Sequence, residues 1–259
     1  MPDANRHLIG LAFRAAREAS RQILEIYGTN FDVRVKDDRT PVTLADERAE
    51  ATILALLAAE TPDIPVVAEE QTAARGIPIP PPSRFWLVDP LDGTREFLAR
   101  NGEFTVNIAL VEGTRPVLGV VHLPVSGITY AACGPGTAFR QAGDEAPCPI
   151  SARPPPARGA VVAHSRSHAD EAAIAAYVAT LPDASRLVMG SSAKFCLLAA
   201  GEADFYPRFG NTMEWDTGAG QAVLEAAGGA VLTLDGSPLG YAKPGFRNPH
   251  FIARGGTGG

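Results

Sequence analysis

Apolar residues recur at helical spacing in the first sixty positions of the chain. They fall at three- and four-residue intervals between Leu8 and Ile26, and again between Thr43 and Ala59, which predicts two amphipathic helices. Shorter apolar runs follow and predict strands. The predicted strands cover residues 64–68, 85–88, 104–111 and 116–122, with a hairpin over residues 128–140. We therefore expect helices packed on a largely antiparallel sheet.

The second half of the chain alternates between strand-like and helix-like segments, which is typical of α/β folds. The strand-like segments are residues 160–163, 186–189, 203–206 and 230–234, and the helix-like segments are residues 169–181, 193–200 and 217–227. The pattern changes at a proline-rich stretch, residues 147–159, whereas a second such stretch, residues 77–83, is interpreted as an exposed connector. The predicted fold class is α/β, with an N-terminal α+β lobe (residues 1–150) and a C-terminal α/β lobe (residues 151–259).

Composition and charge exclude several classes of function. The net charge of −6 repels nucleic-acid polymers, and no run of Lys or Arg forms a phosphate-tracking stripe. No apolar run approaches the roughly 20 residues of a membrane span, and the first ten residues lack a signal-peptide pattern. The three cysteines have no CxxC spacing, so we interpret them as free thiols. The expected location is the cytoplasm. Contact with the cytoplasmic face of the inner membrane, and the choice between monomer and homodimer, are left open.

The stretch FWLVDPLDGTREF, residues 85–97, places Asp89 and Asp92 around Pro90 at the end of a predicted strand. An Asp-Pro-Leu-Asp sequence favours a turn, and a turn would bring the two carboxylates together. The plain alternative is that both residues only cap the turn.

Further acidic residues also lie at the end or the start of a predicted element. Glu69 and Glu70 follow an apolar run, and Asp216 precedes a predicted helix. Surface charge and helix capping are their simpler explanations. Clustered carboxylates raise one another's pKa unless a cation neutralises them, and oxygen ligands without Cys or His favour Mg²⁺.

Gly93 and Thr94 add an anion site to this pattern. After Asp92 the chain is predicted to turn into a short helix over residues 95–99, whose first backbone N–H groups would hold a phosphate. Turn geometry alone also explains the glycine, and the two interpretations are compatible. Together the carboxylates, Mg²⁺ and anion site indicate phosphoester chemistry.

Three separated motifs carry a resemblance to a known family. They are AEE (68–70), WLVDPLDGTREF (86–97) and EWDTGAGQAVLEAAGG (214–229), and they resemble the signatures of the Mg²⁺-dependent, lithium-sensitive inositol monophosphatase family. Other stretches resemble its branch of bacterial 3′(2′),5′-bisphosphate nucleotidases of the CysQ type. These are residues 36–50, 101–110, 165–170, 190–210 and 248–251.

The resemblance implies a layered α/β/α/β/α sandwich with two or three Mg²⁺ ions between the lobes. The metal-ligand positions it implies are Glu69, Asp89, the Leu91 carbonyl oxygen, Asp92 and Asp216. It also implies that Thr94 orients the attacking water together with an acid, which is either Glu70 or Asp46. Asp46 has a simpler role as well, because Thr43-x-x-Asp46 is close to a helix capping box.

The resemblance further implies a nucleotide substrate. Ser191, Lys194 and Arg208 match substrate-contact positions, in addition to the phosphate site at Gly93 and Thr94, and Lys194 and Arg208 would supply positive charge for a second phosphate. A snorkelling lysine and a surface arginine are the simpler explanations.

His164 either borders the base or only packs at a strand end. The implied reaction removes the 3′-phosphate of adenosine 3′,5′-bisphosphate (PAP) to give AMP, and extends to its sulfated precursor PAPS, in the setting of sulfate assimilation. The alternatives are an inositol-1-phosphate or broad sugar phosphatase, and, in another class, a non-catalytic nucleotide-binding sensor.

Overall fold

Two long helices and a small hairpin open the chain. The computed structural model describes residues 5–29, 33–35, 41–79, 81–167 and 170–256. Helix α1 (Arg6–Tyr27) is followed by strands β1 (Val33–Val35) and β2 (Pro41–Thr43), and then by α2 (Leu44–Glu60). Both helices lie where the apolar periodicity predicts them. Parts of the sequence predictions lie outside the described residues: the first four residues, the beginning of the 36–50 motif, residues 168–169 and the glycine-rich tail.

A mixed sheet of seven strands forms the first half of the fold. Its order is β3-β4-β5-β6-β7-β8-β9, with β3 parallel to β4 and the other pairs antiparallel. The strands are β3 (Val66–Ala68), β4 (Arg84–Asp92), β5 (Thr105–Glu112), β6 (Arg115–Leu123), β7 (Ile128–Cys133), β8 (Phe139–Ala142) and β9 (Cys148–Pro149). Two short helices flank β4, namely α3 (Glu69–Arg75) and α4 (Thr94–Leu98). The strand predictions and the hairpin over 128–140 are confirmed, whereas α3 was not predicted.

The predicted turn at Pro90 is wrong, because strand β4 continues through this residue. The strand does not stop at Val88 but continues to Asp92, and its pairing with β5 shifts between Asp89, opposite Asn107, and Asp92, opposite Thr105. Three steps on one strand thus face two on the other, which is a β-bulge. The bulge bends the strand locally, and it takes the place of the turn that the sequence predicted.

A second sheet of five strands forms the other half. Its order is β11-β10-β12-β14-β13, with β10 parallel to β11 and β12. The elements are β10 (Val161–Ser165), α5 (Glu171–Ala179), β11 (Ser185–Met189), α6 (Ala193–Ala199), β12 (Phe205–Arg208), α7 (Gly218–Ala226), β13 (Ala230–Thr233) and β14 (Phe251–Arg254). The predicted alternation is confirmed, and β14 is an additional strand that pairs antiparallel with β12 and β13.

The helices and sheets stack as α/β/α/β/α. Helices α1 and α2 cover one face of the large sheet, α6 and α7 lie between the two sheets, and α5 covers the outer face of the small sheet. Close packing of α7 requires small residues, since a Cβ on Gly119 would lie 2.3 Å from the Ala219 carbonyl oxygen. The predicted fold class and layer order are therefore confirmed.

One apolar core joins the two halves. It includes Leu87 and Ala109 from the large sheet and Ala163 and Phe251 from the small one. The chain leaves the large sheet at Pro149 and enters the small sheet at Val161. A division into lobes at residue 150 stays a prediction.

The cysteines and the helices also bear on two expectations from the sequence, namely free thiols and the lack of a membrane span. All three cysteines are free thiols; Cys133 and Cys196 are buried and Cys148 is exposed. Within the described ranges, no helix combines the length and apolar character that crossing a membrane requires.

Candidate active site

A cavity of about 630 Å³ lies where the bulged end of β4 faces the small sheet. It collects residues from both halves of the chain. Both acidic and basic residues line it; the acidic ones are Glu69, Asp89, Asp92, Glu96 and Asp216, and the basic ones are Arg95, Arg166, Lys194, Arg208 and Arg247. Leu91, Gly93, Thr94 and Ser191 also line the cavity. Most of the residues that the sequence singles out thus share one cavity.

One of these carboxylates, Asp89, is buried, the others are partly buried, and they influence one another. Asp89 is 1% exposed, and burial, followed by the charges of Glu69, Asp92 and Asp216, raises its pKa well above the ordinary value. Burial, followed by Asp92 and Glu69, likewise raises the pKa of Asp216. Burial also raises the pKa of Asp92, to about 6, although Lys194 and a hydrogen bond from the Ser192 amide oppose the rise. The group thus carries mutually repelling charges in a poorly solvated place.

Backbone amides fix the orientation of three of these side chains. The Leu91 amide donates to Asp89 Oδ1 at 3.0 Å within the bulge, and the Met213 amide donates to Asp216 Oδ2 at 2.9 Å. The Ser192 amide donates to Asp92 Oδ2. Each carboxylate keeps its other oxygen for a further partner.

The donor chemistry fits a hard cation. Carboxylate oxygens and the Leu91 carbonyl are the ligands that Mg²⁺ prefers, and a dication would compensate the repulsion that raises the pKa values of Asp89 and Asp216. In the described parts of the chain, no three His, Cys, Asp or Glu side chains are close enough together, as they stand, to hold one ion. The site therefore matches Mg²⁺ in its charge and in the type of its ligand atoms.

Asp46 hydrogen-bonds both to Thr43 and to Thr94, a residue that lines the cavity. Its Oδ2 accepts hydrogen bonds from the Thr43 amide at 2.8 Å and the Thr43 hydroxyl at 2.7 Å, and these bonds belong to the predicted capping box. Its Oδ1 faces Thr94, whose hydroxyl donates to it at 3.4 Å. Asp46 is 2% exposed. The capping role and a contact with the site therefore coexist.

Glu70 is placed differently from Glu69. Its backbone amide donates to Glu50 at 2.7 Å, as does that of Gln71, and Glu70 is not among the residues that line the cavity. Glu50 itself is a residue that the sequence analysis missed. It is buried and fixes the start of α3, where Glu69 lies. Its position one helical turn after Asp46 was the available signal.

Position 93 requires a glycine. It has a φ of 94° and precedes α4, which confirms the predicted short helix within one residue of its bounds. An added Cβ would lie 3.3 Å from both the Glu103 carbonyl oxygen and Glu96 Oε2. Only glycine combines this left-handed backbone with such close neighbours.

The loop before α6 is attached to the acidic part of the cavity. Ser191 adopts a positive φ of 50°, and the next hydroxyl, that of Ser192, lies 2.7 Å from Asn107 Oδ1 and 2.8 Å from Thr105 Oγ1. Because Ser192 also holds Asp92 through its amide, this loop couples α6 to β5. No local pattern in the sequence indicates this network.

Lys194 and Arg208 line the cavity but are almost completely buried. Lys194 is 2% exposed; its ammonium donates to the Met189 carbonyl oxygen at 3.1 Å and to that of Ser191, and lies 5.0 Å from the Tyr206 ring centroid. Burial lowers its pKa to about 8, although Asp92 opposes the fall. Arg208 is 7% exposed and donates to Ser165 Oγ and the Asn211 carbonyl oxygen, both at 2.7 Å. Both cations are engaged by protein acceptors.

His164 points away from the cavity. Strand β10 directs Ser165 toward Arg208 and therefore directs His164 to the opposite face, where its Nε2 accepts a hydrogen bond from Arg186 at 3.2 Å. Burial, and then Arg186, lower its pKa. This placement corresponds to the packing alternative at a strand end, and a contact of His164 with the base stays a prediction.

The known proteins that resemble this chain in sequence belong to one family. The chain matches the inositol monophosphatase family over residues 4–254. The 3′(2′),5′-bisphosphate nucleotidase CysQ of Escherichia coli (strain K12) is 44% identical over 248 residues, covering 91% of this chain and 95% of the relative. The protein of the same name from Buchnera aphidicola is 38% identical over 253 residues, covering 96% and 94%.

Solved structures show the same fold. The crystal structure of CysQ from Bacteroides thetaiotaomicron, at 38% identity, has a TM-score of 0.81 and covers 98% of each chain. An inositol monophosphatase from Zymomonas mobilis, at 26% identity, has a TM-score of 0.77 and covers 98% of this chain and 94% of its own. On the family match and these relatives, this chain belongs to the inositol monophosphatase family.

Proposed function

We propose that this chain is a metal-dependent phosphomonoesterase that hydrolyses PAP to AMP and inorganic phosphate, and that also accepts PAPS, giving adenosine 5′-phosphosulfate. The observation that carries the proposal is the group of carboxylates, with Asp89 buried among them, in a cavity that arginines also line. The CysQ relatives are named 3′(2′),5′-bisphosphate nucleotidases, which supports the choice of substrate.

The metal is proposed to be Mg²⁺, with two or three ions bound. The side chains of Glu69, Asp89, Asp92 and Asp216 would hold it together with the Leu91 carbonyl oxygen, since all are oxygen donors that line the cavity. When bound, the metal supplies an acidified water and neutralises charge on the leaving oxygen.

Thr94 and Asp46 are proposed to orient the attacking water. Because the Thr94 hydroxyl donates its hydrogen to Asp46, its oxygen lone pairs remain to accept a hydrogen bond from water on the cavity side. Asp46 stays in place through its two bonds to Thr43. This geometry favours Asp46 over Glu70 as the acid of the pair.

The phosphate to be removed is proposed to lie against the backbone of Gly93 and Thr94, next to the carboxylates. Ser191, on the adjoining loop, would contact the ribose. Lys194 and Arg208 would contribute positive charge, since each acts electrostatically on a carboxylate of the site, Lys194 on Asp92 and Arg208 on Asp216.

The test is initial phosphate release from PAP and, in parallel, from inositol 1-phosphate, with Mg²⁺ and again with EDTA. We expect a strong preference for PAP that EDTA abolishes. Equal or reversed rates would retain the metal chemistry and reject the nucleotidase assignment, whereas no Mg²⁺-dependent release from either substrate would favour a non-catalytic nucleotide-binding protein.

A further inference from the structure

Arg166 is held at the wall of the cavity by an acidic residue from the other half of the chain. Its Nε lies 3.0 Å from Glu103 Oε2 and its Nη2 lies 2.7 Å from Glu103 Oε1, a bidentate pair. Glu103 is fixed in turn, because the Gly190 amide donates to its Oε2 at 2.7 Å. The guanidinium therefore has a defined position in a side chain that is 44% exposed.

The neighbouring residues strengthen this connection across the cavity. The Ser167 hydroxyl donates to Glu96 Oε1 at 2.6 Å, and Arg95 Nη1 donates to the Ser167 carbonyl oxygen at 3.3 Å. The segment that carries Arg166 is thus bound on both sides to the loop and helix that follow Asp92. A second guanidinium, that of Arg95, contacts the same segment through Ser167.

Exposure separates Arg166 from the two cations that the sequence assigns to a second phosphate. Lys194 and Arg208 are 2% and 7% exposed, and each already donates hydrogen bonds to protein oxygens. The bonds of Arg166 to Glu103 use Nε and Nη2, which leaves the Nη1 donors for a ligand. A phosphate reaching the cavity therefore meets Arg166 with fewer rearrangements.

We propose that Arg166, positioned by Glu103, determines specificity by binding the second phosphate of the bisphosphate substrate. The inference rests on the proposed function and deepens it. One phosphate lies at the carboxylates beside Gly93, and a nucleotide with a second phosphate places another dianion elsewhere in the same cavity. A planar guanidinium binds phosphate oxygens in pairs, so the substrate with one phosphate loses this contact and nothing else.

The test compares PAP with adenosine 3′-monophosphate, which lacks the second phosphate. Steady-state kcat and KM are measured with Mg²⁺ for the wild type, Arg166→Gln and Arg166→Lys. For Arg166→Gln we expect KM for PAP to rise roughly ten- to hundredfold, as for loss of a charged hydrogen bond, with kcat and the constants for adenosine 3′-monophosphate within about twofold of wild type. Arg166→Lys, which keeps the charge without the paired donors, should restore part of the loss.

Two further variants serve as controls. Arg158→Gln removes another exposed arginine, whose ion pair with Asp183 (2.6 Å) lies outside the cavity lining. This variant should leave kcat and KM unchanged for both substrates. Glu103→Gln should raise KM for PAP by a smaller factor than Arg166→Gln, because the guanidinium stays but loses its fixed position.

The ratio of the two substrates decides the outcome. An Arg166→Gln enzyme that loses PAP and adenosine 3′-monophosphate hydrolysis equally would show a structural role only and overturn the inference, as would an unchanged KM for PAP. The inference is also wrong if Arg247→Gln, which alters an arginine elsewhere in the cavity lining, raises KM for PAP while Arg166→Gln does not. A wild type that fails to hydrolyse PAP would reject the proposed function and this inference together.

Discussion

Glu214 offers a direct test of how the site is held in place. It lies two residues before Asp216 and is fully buried. Its carboxylate accepts hydrogen bonds from the Ala242 amide at 2.8 Å and the Lys243 amide at 3.0 Å, and the Lys243 ammonium lies 2.7 Å from its Oε1. Glu214 therefore anchors the loop over residues 240–243 to the segment that carries Asp216.

The variant Glu214→Gln keeps the shape but removes the charge and turns one acceptor into a donor. One backbone amide then faces an NH₂ group, and Lys243 loses its charged partner, although its ammonium still donates to the Gly240 carbonyl oxygen and to Asn248 Oδ1. Breaking a buried pair costs about 3–5 kcal/mol, and we expect the lower value because the Lys243 side chain, at 28% exposure, can turn to water. For a chain of this size, about 3 kcal/mol corresponds to a fall in Tm of roughly 6–12 °C.

Thermal and urea unfolding measure this change. The matched control is Glu60→Gln, because Glu60 forms an exposed ion pair with Arg14 at 2.7 Å, and exposed pairs contribute at most about 1 kcal/mol. A loss of less than about 1 kcal/mol in Glu214→Gln would refute the assignment of Glu214 as an anchor. Activity should fall together with stability, since Asp216 depends on the same segment.

Further predictions concern the chemistry and the pH dependence. Asp89→Asn should reduce kcat at least about a hundredfold, since the charge stabilisation that a metal provides is worth several kcal/mol, while circular dichroism and Tm stay near wild type; substantial activity with Mg²⁺ would reject Asp89 as a ligand. Asp46→Asn should lose most of its activity and Glu70→Gln little, so the opposite ranking would exchange their roles. Tens of millimolar Li⁺ should inhibit the enzyme if its metal chemistry is that of the family, and full activity would argue against this. Burial, and then Arg17, lower the pKa of His122 to about 4, so the unfolded chain takes up its proton near pH 6.5 and the folded chain only near pH 4. About 3 kcal/mol of stability should therefore be lost as the pH falls through this window, and urea unfolding of His122→Asn should show a shallower loss than wild type; an equal slope would contradict the assignment.

Much of the fold follows from local patterns in the sequence. The periodicity of α1 and α2 depends on which side chains of one helix face the core, and the strands of both sheets stand out as short apolar runs. The exceptions are instructive. The bulge in β4 depends on the partner strand β5, since its signature is a shift in pairing between Asp89 and Asp92. Helix α3 is only seven residues long, too short for its periodicity to be recognised in a sequence.

The candidate site, too, could be predicted only in part from the sequence. The acidic residues at strand ends, and the chemistry of a hard cation, could be inferred from residue types and from the resemblance to a family. The partners of these residues could not, because Ser192 and Asn107 are 85 positions apart and Glu103 and Arg166 are 63 apart. No local pattern encodes such pairs.

The sequence by itself therefore predicted most of the helices and strands and the fold class, since these depend on periodicity within single elements, and it identified the candidate acids with the help of the family resemblance. Only the tertiary structure decided which cations of the cavity are exposed, that His164 faces the other side of its sheet, and that Asp46 rather than Glu70 meets Thr94. The physical reason is that burial, pKa and hydrogen-bond partners depend on how distant segments pack, and packing brings together residues that the chain itself keeps far apart.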